Sequence, residues 1–299
     1  MSLYINNITK YFGNKAAVRD LTLNVENRQI YGFLGANGAG KTTMFRLILG
    51  ILEASKGTIL WDGEPINYSN SDRIGYLPEE RGLYAELPVK QQLIYFGELR
   101  GMTRELAANK IDEWLKRLHI TSYANRKLQE LSKGNQQKVQ FISAVLHSPD
   151  LLLLDEPFSG LDPVNVEMLK GAVKYMADEG TTILFSSHRM EHVEELCESL
   201  CLLDKGEAIL EGNLNSIKRD YGKKNLHIKT NVELEFLNSY PQVKSIIPKA
   251  DKTIIQLNDD ESIQDLLAAV IGKGEVTHFS LEEPSLNEIF IEKVGKGYE

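Results

Sequence analysis

Gly35-Ala36-Asn37-Gly38-Ala39-Gly40-Lys41-Thr42-Thr43 follows an apolar, strand-like run from Ile30 to Leu34 and opens a helix with apolar residues at helical spacing, Phe45, Leu47, Ile48 and Ile51. A glycine-rich turn set between a strand and a helix reads as a phosphate-binding loop. The glycines let the backbone turn tightly and approach a polyphosphate, while successive amide N–H groups and the positive end of the helix supply the field an anion needs. In this pattern Lys41 reaches the β and γ phosphates and the Thr42 hydroxyl ligates magnesium. The expected substrate is a nucleoside triphosphate. An ordinary turn before a helix needs none of these residue types together.

A second stretch, Leu151-Leu152-Leu153-Leu154-Asp155-Glu156, carries the complementary chemistry. A short continuous apolar run reads as a strand buried on both faces, as in parallel sheets covered by helices. Its two carboxylates then stand at the C-terminal end of the strand, where open α/β sheets bind ligands. Asp155 is expected to hold magnesium through its water shell, and Glu156 to polarise the water that attacks the γ-phosphate. Magnesium on the phosphates neutralises charge, so Glu156 approaches that water without prohibitive repulsion.

Length and charge narrow the alternatives. At 299 residues the chain is long for one domain and has room for a full core plus a smaller unit. A formal net charge of -8 opposes binding to a polyanion, because nucleic-acid affinity rests largely on Lys and Arg. No nucleic-acid partner is expected. The start Met1-Ser2-Leu3-Tyr4-Ile5 lacks the basic head and apolar stretch of a signal peptide, and no run of roughly 18 or more apolar residues suits a membrane span. A soluble, cytosolic chain is expected. Cys197 and Cys201 have neither a second pair for zinc nor the Cys-x-x-Cys redox spacing, and read as small buried hydrophobes.

Up to about residue 210, strand-like and helix-like runs alternate, the clearest strands being Leu151 to Leu154 and Thr182 to Phe185. This is an α/β pattern. Between about residues 80 and 147 helical periodicity takes over, in Ile111, Trp114, Leu115 and Leu118 and again in Val139, Ile142 and Leu146, which predicts an all-helical subdomain inserted into the α/β core. A helix-like connector reaches Tyr221, and the polar break Gly222-Lys223-Lys224-Asn225 follows. The expected domains are residues 1–221 and 222–299. Strands at Leu226-His227-Ile228, Val243 to Ile247 and Thr253 to Leu257, with an amphipathic helix around Ile263, Leu266, Leu267 and Val270, make the second a small α+β domain. His227 and His278 lie in apparent strands and read as structural or solvated.

Three further segments, Leu131-Ser132-Lys133-Gly134-Asn135-Gln136-Gln137, Ser159-Gly160-Leu161-Asp162 and His188 after the Thr181 to Ser187 run, complete a resemblance. With the loop and the acids, in this order over residues 3–212, the chain resembles the ATP-binding cassette family. The resemblance implies a P-loop NTPase core, ATP and Mg2+ as cofactors and ATPase activity. It places Phe12 of Lys10-Tyr11-Phe12-Gly13 on the adenine ring, with Tyr11 the second candidate and a plain core role open to either. In this family the signature segment of one cassette caps the γ-phosphate held by another, which implies a head-to-tail dimer of two copies with ATP between them. Ser132, Gly134 and Asn135 would then bind the nucleotide of the partner through helix N-terminal donors. His188 would contact the γ-phosphate and orient attack, making Glu156, His188 and Lys41 the catalytic set. Asp162, ahead of Pro163, would cap the next helix at the dimer seam.

The sequence departs from the family pattern at two places. After Ile74-Gly75-Tyr76-Leu77-Pro78, where glutamine is usual, stands Glu79, which either joins Thr42 and Asp155 as a magnesium ligand or pairs with Arg81. In the signature, Lys133 replaces a glycine and Asn135 a glutamine, so a cation stands close to the expected trans γ-phosphate and is expected to be tolerated or to aid closure.

The run Leu77 to Tyr84, the Ser-Lys-Gly signature and the tail Glu283-Pro284-Ser285-Leu286-Asn287-Glu288-Ile289-Phe290 look like the ATPase subunits of bacterial sodium-export and drug-export systems. That resemblance implies separate integral-membrane permease subunits as partners, driven through residues 79–100, and a cytoplasmic chain peripheral on the cytoplasmic face of the membrane. A soluble cassette ATPase acting on ribosomes or nucleic acid is one alternative; it more often carries two cassettes, a coiled-coil insertion or zinc cysteines, none of which is present in the sequence. A catalytically silent regulatory cassette is the other, suggested by Glu79, Lys133 and Asn135 and opposed by Lys41, Asp155, Glu156 and His188.

Overall fold

The computed structural model describes residues 2–80, 82–221, 225–258 and 263–295. β1 (Leu3–Phe12) and β2 (Lys15–Val25) form an antiparallel hairpin, β3 (Ile30–Leu34) runs into α1 (Lys41–Ile48), and β4 (Lys56–Trp61) and β5 (Glu64–Pro65) return to the hairpin. After β6 (Ile74–Leu77) come α2 (Val89–Leu99), α3 (Arg104–Arg117) and α4 (Lys133–Val145), then β7 (Leu151–Asp155). The unit continues through α5 (Pro163–Asp178), β8 (Thr182–Ser187), α6 (Met190–Leu196), β9 (Ser199–Asp204) and β10 (Glu207–Asn213). These strands make two sheets, ordered β2-β1-β4-β5 and β10-β9-β3-β8-β7-β6. The α/β fold with inserted helices expected from the sequence is the fold found.

Parallel pairing explains the insertion. β6 and β7 are neighbours in register from Ile74 opposite Leu151 to Leu77 opposite Leu154. Parallel neighbours need a crossover, and here it is α2 to α4. The antiparallel sheet was not separable in the sequence. Its alternation breaks at register shifts between Ile5 and Ile8, where Asn7 takes a left-handed φ of 47°, so the period of two that marks such strands is interrupted.

The first core ties the phosphate loop to both sheets. Met44, Phe45 and Ile48 of α1 join Leu3, Ile5, Leu21 and Leu23 of the antiparallel sheet and Phe33, Leu151 and Leu153 of the parallel one in one buried cluster. Phe33 and Phe45 meet edge to face with centroids 5.7 Å apart. Burial of each such side chain contributes about 1.5–3 kcal/mol, so α1 is held on both sides. Cys197 and Cys201 are buried free thiols, which burial pushes up in pKa, in keeping with a packing role.

The chain divides into two compact units, Met1–Gly212 and Asn213–Glu299. The expected division after Tyr221 thus lies one short helix further along the chain than the observed one. α7 (Leu214–Asp220) goes with the second unit, its Leu214 and Ile217 buried rather than solvated as a linker would leave them. The predicted break at Gly222, Lys223 and Lys224 lies outside the described residues. In the second unit β11 (Asn225–Thr230), β12 (Val243–Pro248), β13 (Thr253–Leu257), α8 (Ile263–Ile271), β14 (Val276–Glu282) and α9 (Leu286–Gly295) follow, with an antiparallel sheet ordered β12-β13-β11-β14. Leu226, Ile228, Ile255 and Leu257 pack on Leu266 and Val270 of α8. A reciprocal cap starts α9: the Ser285 amide donates to Glu288 Oε2 at 2.8 Å, and the Glu288 amide to Ser285 Oγ at 3.2 Å. His227 is buried beside Lys252 and Glu282, and His278 is exposed.

α4 lies close against β6 at Gly75, where a Cβ would stand 2.3 Å from the Ala144 carbonyl oxygen. Gly75→Ala is expected to destabilise the first unit by about 1–3 kcal/mol through this clash. Thermal melting of the full chain, showing a lowered midpoint for this variant, checks it.

Candidate functional site

Three strand ends are brought together by parallel register. β3 pairs with β8 so that Leu34 lies opposite Ser187, and β7 pairs with β8 so that Asp155 lies opposite Ser186. The loop after Leu34, the acids ending β7 and His188 after β8 therefore leave the sheet along one edge. Gly35 (φ 152°) and Gly40 (φ 110°) are positions no side chain suits, since a Cβ would lie 2.4 Å from Leu203 O and 2.5 Å from Ala17 O respectively. α1 starts at Gly40 with no side-chain cap, so no capping side chain takes up its first amides.

A pocket of about 460 Å³ opens over this loop, lined by Asn37, Gly38, Gly40, Lys41, Thr42 and Thr43 together with Phe12, Glu79 and Glu156. Gly35, Ala36 and Ala39 shape the loop beneath. Phe12 is half exposed in the pocket wall, with Lys10 Nζ 5.4 Å from its ring centroid, whereas Tyr11 is not among the lining residues. Sequence reasoning missed Lys15, Ala16 and Ala17 at the start of β2 and Lys205 in the β9–β10 turn, which complete the lining. No local motif marks them. Sheet pairing alone carries them there, and Lys15 and Lys205 add positive charge beside Lys41.

Lys41 Nζ donates to Gly35 O at 2.7 Å and Ala36 O at 3.3 Å, and stands 3.4 Å from Glu156 Oε1. Both partners are 7 % exposed, so removing either leaves a buried charge and costs several kcal/mol. The other Glu156 oxygen, Oε2, accepts from His188 Nδ1 at 2.9 Å. An ionised carboxylate only accepts, so that ring nitrogen carries its hydrogen. Glu156 itself has a φ of 48°, a left-handed conformation that costs a non-glycine residue about 1–3 kcal/mol. Ser186 Oγ holds it there by accepting from the Glu156 amide at 2.9 Å. The strained turn aims the carboxylate at Lys41.

The same Ser186 hydroxyl donates to Asp155 Oδ1 at 2.6 Å. Asp155 is fully buried, and its Oδ2 has no hydrogen-bond partner among the described residues. Burial and the Asp155 charge push the Tyr76 phenol up to about 12. An orphaned buried carboxylate oxygen suits a hard cation that keeps most of its water. Among the described residues no group of three or more His, Cys, Asp or Glu could hold a metal. Thr42, Asp155 and Glu79 are the residues that would hold magnesium. Arg81, the other predicted partner of Glu79, lies outside the described residues.

Ser132, Gly134 and Asn135 do not line this pocket. Ser132 caps α4, its Oγ accepting from the Asn135 amide at 3.3 Å. A Cβ on Gly134 would lie 2.5 Å from Asn165 Nδ2, and Asn165 is bound to the Asp162 carboxylate, which caps α5 as its place before Pro163 predicts. Those bonds hold the Asp162 carboxyl below the usual carboxylate range. The signature segment and the Asp162 loop are thus one packed surface.

Comparison with known proteins agrees with this geometry. Residues 18–159 match the family described as ABC transporter, and residues 212–294 match the family described as ATP-binding protein DrrA1-3-like, C-terminal domain. An uncharacterized ABC transporter ATP-binding protein of Bacillus subtilis is 54% identical over 99% of this chain and 100% of its own length. The chain belongs to the ABC transporter ATP-binding proteins. Nod factor export ATP-binding protein I of Cupriavidus metallidurans is 32% identical over 98% of this chain and 97% of its own. A solved ATP-binding subunit of an ABC transporter superposes with a TM-score of 0.69 at 27% identity, covering 74% of this chain and 94% of that one. Membership of this family carries ATP binding and ATPase activity.

Glu156→Gln keeps the side-chain shape while weakening the acceptor and removing its charge. Turnover is expected to fall about a hundredfold or more with ATP affinity retained, read by phosphate release and equilibrium nucleotide binding.

Proposed function

We propose that this chain is the ATP-hydrolysing subunit of an exporter, working as a head-to-tail pair on separate membrane-spanning permease subunits. The observation that carries the pairing is the composition of the pocket: it gathers Phe12, the loop, Glu79 and Glu156, but none of Ser132, Gly134 or Asn135. A helix N-terminus that carries donors and lies outside its own pocket is suited to a phosphate held by a second copy. Magnesium, held by Thr42, Asp155 and Glu79, would neutralise phosphate charge. Glu156 then positions the attacking water, His188 orients that carboxylate and contacts the γ-phosphate, Lys41 binds the β and γ phosphates, and Phe12 stacks on the adenine.

Support for a permease partner comes from two sides. Among the described residues no helix is long and apolar enough to cross a membrane. α2 and the loop before it expose Tyr84, Tyr95 and Leu99, with Tyr84 stacked on Phe96 at 6.1 Å, and this apolar surface is the proposed contact through which closure pulls on the permease. The export-named relative favours outward transport and a place on the cytoplasmic face of the membrane. Affinity purification of the full chain in mild detergent at native abundance tests the reading. A multi-span membrane protein is expected to come with it; recovery with ribosomes, with nucleic acid or alone refutes transport.

Lys133 is the exposed first residue of α4. A cation there opposes the helix dipole by about 0.3–1 kcal/mol, a cost that an anion in front of the helix would reverse. Lys133→Gly is expected to weaken ATP-dependent dimerisation of the Glu156→Gln form by about threefold or more, measured by sedimentation. Tighter dimerisation or faster hydrolysis in Lys133→Gly would refute a helping role.

A further inference from the structure

α4 carries a second carboxamide pattern beyond its signature end. Gln137 and Gln140 are three residues apart and so share one helix face. Gln137 Nε2 donates to Pro157 O at 3.2 Å, next to Glu156. Gln140 reaches the other side of the site: its Nε2 donates to Pro78 O at 3.1 Å and to Glu80 O at 3.0 Å, the two carbonyls that flank Glu79. Both amide hydrogens are thereby used. Gln140 is 3 % exposed, and its Oε1 has no hydrogen-bond partner among the described residues. A buried carboxamide that leaves its own oxygen unpaired in order to hold two loop carbonyls pays a desolvation penalty for that geometry. Packing alone would be served better by leucine or methionine.

We infer that Gln140 is a positioning residue, which ties the loop bearing Glu79 to the signature helix so that the two move together. Glu79 lines the ATP pocket, while Ser132 lies eight residues before Gln140, about 12 Å along the same helix at 1.5 Å per residue. When the N-terminus of α4 meets the phosphate of a partner copy, the rigid helix carries that displacement to Pro78 and Glu80 and sets Glu79 over the nucleotide. Gln137 does the same for the carbonyl beside Glu156. The coupling rests on the head-to-tail reading above.

Hydrogen–deuterium exchange of the full-length Glu156→Gln chain, with and without ATP and magnesium, tests it against the same chain carrying Gln140→Met. Methionine keeps the volume and removes both donors without adding charge. In the parent, ATP is expected to slow exchange at Ser132 to Asn135 and at Glu79 and Glu80. With Gln140→Met the first slowing persists, while the amides of Glu79 and Glu80 exchange about tenfold faster and lose their response to ATP. In the otherwise unmodified chain, Gln140→Met lowers kcat about tenfold and changes KM for ATP less than about threefold.

Slowing that still reaches Glu79 and Glu80 in Gln140→Met overturns the inference alone. No slowing at Ser132 to Asn135 in the parent overturns the head-to-tail reading and the coupling with it. Faster exchange spread through α4 and β6 assigns Gln140 to packing only, and an unchanged kcat removes its part in the reaction; each result refutes the proposal.

Discussion

Leu34, Ser187 and Asp155 end three neighbouring parallel strands in near-common register, β3 beside β8 and β8 beside β7. That alignment is the constraint on which the rest of the site depends. It delivers a glycine loop, a histidine and two carboxylates to one edge of one sheet, from parts of the chain more than a hundred residues apart. A slip of one residue in any of the pairings would turn Asp155 or Ser186 to the other face. Because these strands are buried on both sides and α1 is clamped between two sheets, the register has no loose alternative.

Charge within the site is arranged as a chain of partners. Lys41 faces Glu156, Glu156 faces His188, and Ser186 links the Glu156 amide to the Asp155 carboxylate. Each group limits the freedom of the next. The left-handed turn at Glu156 is sustained because Ser186 and the closely packed β7 and β8 over-determine it. Lys41 is thus one cation shared between the loop carbonyls and Glu156.

α4 connects what the sheet separates. Its cap faces outward with the Asp162 loop, its middle holds Pro157 and the Glu79 loop, and Ala144 near its end lies against Gly75 of β6. The family supplies the cassette, but Glu79 in the loop after β6 and Lys133 and Asn135 in the first turn of this helix depart from its usual residues. Gln140 of α4 holds the loop that bears Glu79 by its main-chain carbonyls on either side of that residue.

Much of this protein was legible in one dimension. The phosphate loop, the strand-ending acids and the inserted helices announce themselves because each is a local pattern: glycines before a helix, four leucines before two acids, apolar residues every three or four positions. The C-terminal strands and helices were legible for the same reason. Other features have no local signature. The antiparallel sheet hid behind a bulge at Asn7, the division of the chain fell before α7 rather than after it, and Lys15, Lys205, Ser186 and Gln140 came to the site only through pairing and packing. The sequence by itself determined which chemistry the chain carries, since that is written in residue types at short spacing. Which groups touch was decided by tertiary structure alone, because hydrogen bonds such as Gln140 to Pro78 span sixty-two residues and exist only once parallel register has closed the distance.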